Sequence, residues 1–153
     1  MTKLFTILIV ILMPVCISGQ QEVRKQPLPL AKFEDNVKLP LTSQERAQIT
    51  EVYGDYADKY IINNENRLKG IKQILRNRVI IKQITDQNQI KDCPKLSEVP
   101  LFNKFAPELK RDDNFNPKEF NPLKFSFKFY SVSASMYQVD NTNYYIIIKS
   151  QHQ

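Results

Sequence analysis

The sequence predicts an α+β domain: an N-terminal antiparallel helix pair packed on a C-terminal three-stranded antiparallel meander. Three patterns predict it. Apolar residues recur at spacings of three and four over 42–62 and again from Glu65. Phe125, Phe127 and Phe129 alternate with Lys124, Ser126 and Lys128. Two further runs rich in apolar residues, 135–139 and 144–149, flank the polar cluster Asp140-Asn141-Thr142-Asn143.

Residues 1–19 read as a secretory signal peptide. A short positive start precedes the apolar run 4–15, and Ile17-Ser18-Gly19 offers a small residue for cleavage. The run is shorter than the roughly 20 apolar residues of a spanning helix, so no span is expected after signal cleavage. Two alternatives stand beside this reading. Cys16 invites acylation, although Val15 stands where a lipoprotein signal wants a small residue. An uncleaved N-terminal anchor is the other. The expected address is exported: periplasmic, outer-membrane associated or extracellular.

Residues 20–41 read as an extended arm, because Pro27, Pro29 and Pro40 fix the backbone and remove donors. Leu28, Leu30 and Phe33 are its candidate anchors. The domain proper is expected over 42–151. Of two cysteines, the cleaved chain keeps only Cys93, so packing and not an internal disulfide must stabilise it. Seven Tyr and nine Phe supply a core, most of them between Phe102 and Tyr145.

The first helix begins at a capping signal, Thr42 with Glu45 three residues later. Ile49, Val52, Tyr53, Tyr56 and Tyr60 form its apolar face. Gly54 inside that pattern costs about 1 kcal/mol relative to alanine, which a close contact would explain. The second helix is expected from Glu65 to about Arg78, with Leu68, Ile71, Ile74 and Leu75 inward. Residues 79–84 are ambiguous, since Val79-Ile80-Ile81 is β-branched and favours strand. Residues 86–114 read as an irregular wrap held by Leu96, Val99, Leu101, Phe102 and Phe105. A helical turn within 102–110 is compatible with that pattern.

Phe-Asn-Pro occurs twice, at Phe115-Asn116-Pro117 and Phe120-Asn121-Pro122. Asn116 followed by Pro117 and Glu119 carries helix-start signals, and Pro122 disfavours helix at Asn121. The repeat therefore predicts a corner leading into a strand over 125–129 better than it predicts a ligand motif.

Several chemistries lose their footing. His152 is the only histidine and lies near the end, a poor member of a catalytic triad. Zinc-ligand clusters are lacking, and three glycines leave no glycine-rich phosphate loop. No cofactor, metal or catalytic residue is assigned. Glu51, Asp55 and Asp58 share one helix face, which keeps a carboxylate-dependent glycan hydrolase open as an alternative; a solvated acidic stripe is the simpler reading. Asp112-Asp113-Asn114 offers oxygens without the spacing of a calcium loop.

The strongest charge signal lies on the second helix and its continuation. Arg67, Lys69, Lys72, Arg76, Arg78 and Lys82 face only Glu65 in opposition. Such a run is a candidate patch for an anionic envelope lipid or glycan. Export argues against nucleic acid, and a solvated basic face is the default.

The phrases "VYGDYADKYI", "NRLKGIKQILRNRVII", "KLSEVPLFNKF", "FNPLKFSFKFYS" and "YQVDNTNYYIIIKSQ" resemble small exported proteins of flavobacterial (Bacteroidota) type with no assigned activity. The resemblance covers about residues 42–151. It implies export from a Gram-negative cell and supplies no site residues. The sequence thus points to an exported, non-enzymatic module that binds another envelope protein, with an exposed strand edge as the means.

Overall fold

The computed structural model describes residues 33–86 and 92–152. The expected signal peptide, Cys16 and residues 20–32 of the expected arm lie outside them. The chain from Phe33 leads into α1, Ser43–Tyr53. Its start follows the capping signal: the Glu45 N–H donates to Thr42 Oγ1 at 3.1 Å and the Thr42 N–H to the Glu45 carboxylate at 2.8 Å. Two orphan donors are thereby satisfied. Gly54 stops the helix with a φ of 52°, a left-handed value that glycine adopts without a Cβ penalty. Backbone conformation, and not a close contact, is therefore its reason. The chain coils onward through a 3₁₀ turn, Gly54–Tyr56, and a π turn, Asp58–Ile62.

The second helix, α2, spans Glu65–Gln73, with the Asn64 side chain accepting the Arg67 N–H at 3.1 Å. A π turn, Ile74–Arg78, carries it directly into strand β1, Val79–Gln83. The β-branched trio decides what helix periodicity left open. Strands β2, Ser135–Gln138, and β3, Tyr144–Ile148, form the expected hairpin. Asn141 takes the left-handed position of its turn, with φ at 55°, as short polar side chains do.

The fold is α+β with a three-stranded antiparallel sheet in the order β1-β3-β2. Strand β3 is central. That position suits a strand apolar on both faces, and Tyr145, Ile146 and Ile148 are buried.

One strand differs from the sequence reading. Residues 125–129 are not in the sheet, and β1 takes the third place. The Phe127 N–H donates back to the Phe125 carbonyl and the Phe129 N–H to the Phe127 carbonyl, each at 2.8 Å. These are successive three-residue turns, and they consume donors that a ladder needs. The segment instead meets the wrap, where Phe125 forms an isolated antiparallel bridge with Leu101 and the Ser126 N–H meets the Pro100 carbonyl at 2.8 Å. Within 125–129 alternation nevertheless matched burial: Phe125 and Phe127 are buried, Phe129 partly so, and Ser126 and Lys128 are exposed, whereas Lys124, expected on the polar face, is buried with its ammonium paired to Glu51 and Asp112.

The doubled tripeptide builds two similar corners. Asn116 Oδ1 accepts the Lys118 N–H and Asn121 Oδ1 accepts the Leu123 N–H, each at 3.1 Å. Proline follows the asparagine in both, at a position where a donor would be orphaned anyway. The second corner is the 3₁₀ turn Pro122–Lys124. Buried Asn121 also donates to the Gln48 carbonyl and the Glu51 carboxylate, each at 2.9 Å, tying the corner to α1.

Two apolar clusters result. One joins the inner sheet face to Leu96, Val99, Phe120, Phe125 and Phe127. The other joins Ile49 and Val52 of α1 to Ile71 of α2, Ile74 and Leu123. Val79 and Phe129 pack against both. Replacing Phe125 or Phe127 with alanine is expected to cost about 3–5 kcal/mol, whereas Ser126→Ala should cost under about 0.5 kcal/mol. Urea unfolding of the three variants checks the contrast.

Candidate functional site

The structure divides the six basic residues singled out by sequence. Lys72, Arg76 and Arg78 turn inward. Lys72 donates to the Val37 and Leu39 carbonyls at 3.2 and 2.7 Å. Arg76 meets the Glu45 carboxylate at 2.5 and 2.7 Å, the Pro40 carbonyl at 2.8 Å and the Asn36 carbonyl. Arg78 donates to the carbonyls of Lys149 and Phe129. These three cations clamp backbone. Arg67, Lys69 and Lys82 remain exposed, the first two on α2 and the third on β1. The six therefore do not present one continuous cationic face. A charge count along a helix cannot see the carbonyls that later strands and loops bring to it.

The acidic stripe is divided too. Glu51 pairs with Lys124 at 2.9 Å, and Asp112 meets the same ammonium at 2.5 Å. Burial alone would lower the Lys124 pKa, but the hydrogen bonds it donates to Asp112 and Glu51, with their charge, leave it above the ordinary lysine value. Asp58 makes an exposed pair with Arg46 at 3.5 Å, and Asp55 is exposed. Asp112 and Asp113 border a cleft of about 330 Å³, yet no group of three metal-ligating side chains forms among the described residues. Burial pushes the Cys93 thiol above its ordinary pKa, which reduces its thiolate fraction.

Two other surface features stand out. The first is the outer edge of β1. The Ile84 N–H reaches the Asn143 carbonyl and the Lys149 N–H reaches the Arg78 carbonyl, so even-numbered residues face β3. By the alternation of an antiparallel ladder, Val79, Ile81 and Gln83 point their backbone groups outward. The Val79 N–H is satisfied by the Ile74 carbonyl. Among the described residues no strand pairs with Ile81 and Gln83 on that side. A cleft of about 430 Å³ adjoins this edge, walled by Leu75, Val79, Ile81 and Phe120, with Gln44 and Gln48 from α1. The opposite edge is partly covered, since Gln138 of β2 donates to the Pro94 carbonyl at 2.9 Å.

The second is an aromatic groove. Phe105 packs within 5.2–6.0 Å, centroid to centroid, of Tyr53, Tyr56, Tyr60 and Phe102. Two neighbouring hollows run beside these rings, with Tyr53, Ile71 and Tyr130 lining both. The inner one, about 330 Å³, is lined by Ile74, Phe102, Leu123 and the buried phenylalanines. The outer one, about 480 Å³, is lined by Tyr60, Asn66, Arg67, Gly70 and Phe105. Tyr130 is 70% exposed. Gly70 sits within α2, where glycine costs about 1 kcal/mol relative to alanine, and a Cβ built on it meets nothing within 4 Å. Of the charged run, only Arg67 lines this groove. The sequence signal that was missed is the aromatic set Tyr53, Tyr56 and Tyr60, whose helical spacing read as core.

The Glu45–Arg76 pair sets an acid dependence. The Arg76 hydrogen bond holds the Glu45 carboxyl below its usual range, despite burial acting the other way. Its stabilisation is full above the ordinary glutamate value, about 4.3, and fades as pH falls through the lowered one. Glu45→Gln is expected to cost about 2 kcal/mol near neutral pH, as for a charged hydrogen bond. The gap between variant and parent in urea unfolding should narrow below about pH 4.

Compared with known proteins, the chain matches no family model, no curated protein and no solved structure.

Proposed function

We propose that this is a non-enzymatic binding module exported to a Gram-negative envelope, which takes an extended segment of another envelope protein onto the edge of β1. The observation that carries the reading is the open backbone of Ile81 and Gln83 beside a cleft with an apolar wall on the sheet side and a polar wall from α1. A strand added there hydrogen-bonds through its main chain, and its alternate side chains supply specificity. Those turned to the inner sheet face enter the cleft against Leu75 and Phe120. Those turned the other way lie along Ile80, which is 39% exposed.

Export rests on the N-terminal signal pattern and on the flavobacterial resemblance. Among the described residues no helix is long and apolar enough to cross a membrane. The exposed Lys82 also disfavours side-by-side pairing of two β1 strands, a common protection against edge aggregation.

Gln83→Pro tests the proposal. Proline removes an outward donor from an edge strand while leaving the ladder to β3. Capture of a partner from envelope extract should be lost in the variant, with the circular dichroism of the parent retained. In the parent complex, the Ile81 and Gln83 amides should exchange with solvent more slowly than in the free protein. Capture undiminished by the proline, or exchange unchanged at both amides, would reject the strand-addition reading.

A further inference from the structure

We propose that the aromatic groove binds a free medium-chain fatty acid, with its tail in the inner hollow and its carboxylate on Arg67. The inner hollow is lined mainly by aliphatic and phenylalanine side chains, with Ser126, Tyr53 and Tyr130 as its polar groups, so it offers few partners to a sugar or a peptide backbone. At about 330 Å³ it lies at the small end of ligand cavities, which run roughly 300–1,000 Å³. That space suits one short acyl chain and not the paired chains of a phospholipid.

The outer hollow supplies the charge. Among the described residues Arg67 is the only charged one lining either hollow, and no carboxylate lines them. Its guanidinium makes one long contact, 3.4 Å to the Tyr60 carbonyl, and lies 5.7 Å from the Tyr60 ring centre. Most of its five donors are therefore open to a carboxylate, the partner whose geometry the guanidinium matches. Tyr53 lines both hollows, and Arg67 lines the outer one with it.

Gly70 is the independent observation. Packing does not require it, since an added Cβ would meet open space. Gly70 is one of the residues that line the outer hollow. A glycine that weakens its helix without a steric reason is accounted for by keeping that hollow open.

Calorimetric titration of the purified chain with decanoate, and with decanol as the uncharged control, tests this. Decanoate should bind at one site, and decanol at least about ten-fold more weakly, as befits loss of a charge-assisted contact. Arg67→Gln should weaken decanoate by a similar factor and leave decanol nearly unchanged. Gly70→Leu should abolish binding of both without lowering the thermal midpoint, because leucine is the better helix former. Equal affinity for the two probes, decanoate binding indifferent to either substitution, or no saturable binding overturns the proposal. Flotation with phosphatidylglycerol vesicles that depends on Arg67, without decanoate binding, also overturns it and assigns the surface to a membrane. Neither substitution touches β1, so partner capture reports separately on strand addition.

Discussion

Arg76 is the group on which the rest of the structure depends. It stands in the π turn that follows the second helix and reaches two things at once: the capping carboxylate of α1 and the carbonyls of the incoming chain. An unpaired guanidinium in this setting would be costly, and an unpaired Glu45 equally so. The pair therefore specifies one arrangement of helix start, arm and helix end. Lys72 and Arg78 extend the same logic to neighbouring carbonyls. Much of this chain lacks regular structure, and its carbonyls need donors that a sheet or helix would otherwise supply. Buried cations furnish several of them.

That arrangement explains what was legible in the sequence. Local signals were readable because both partners lie within a few residues. The Thr42–Glu45 box, the asparagine-proline corners and the turn at Asp140-Asn141-Thr142-Asn143 all formed as their spacing implied. The class, α+β with three antiparallel strands, followed from periodicity. The place of residues 125–129 did not, because alternation reports which side chains are buried and not where backbone donors go. There the donors turn back two residues. The cationic run was readable as charge but not as clamp, since its partners come from segments 31 to 71 residues away.

The two proposed binding features meet the same phenylalanine-rich segment from different sides. Phe120 walls the cleft beside β1, while Phe125, Phe127 and Phe129 wall the inner hollow. Phe120 and Phe125 stack with centroids 5.4 Å apart and an interplanar angle of 25°. The segment thus separates the two features, and its two corners hold it in place. The glycines divide along similar lines: Gly54 answers a backbone demand, and Gly70 leaves a space.

The order of the strands carries one more consequence. The central strand, β3, is the last of the three along the chain, and both neighbours bond only to it within the sheet. A chain emerging from a translocation channel, amino end first, would present residues 79–83 long before their partner arrives. The sheet must then close in a single late step, after which the hydrophobic interior assembles around it. During that interval the nascent β1 is an adhesive stretch, and a chaperone that shields it would be of most use there.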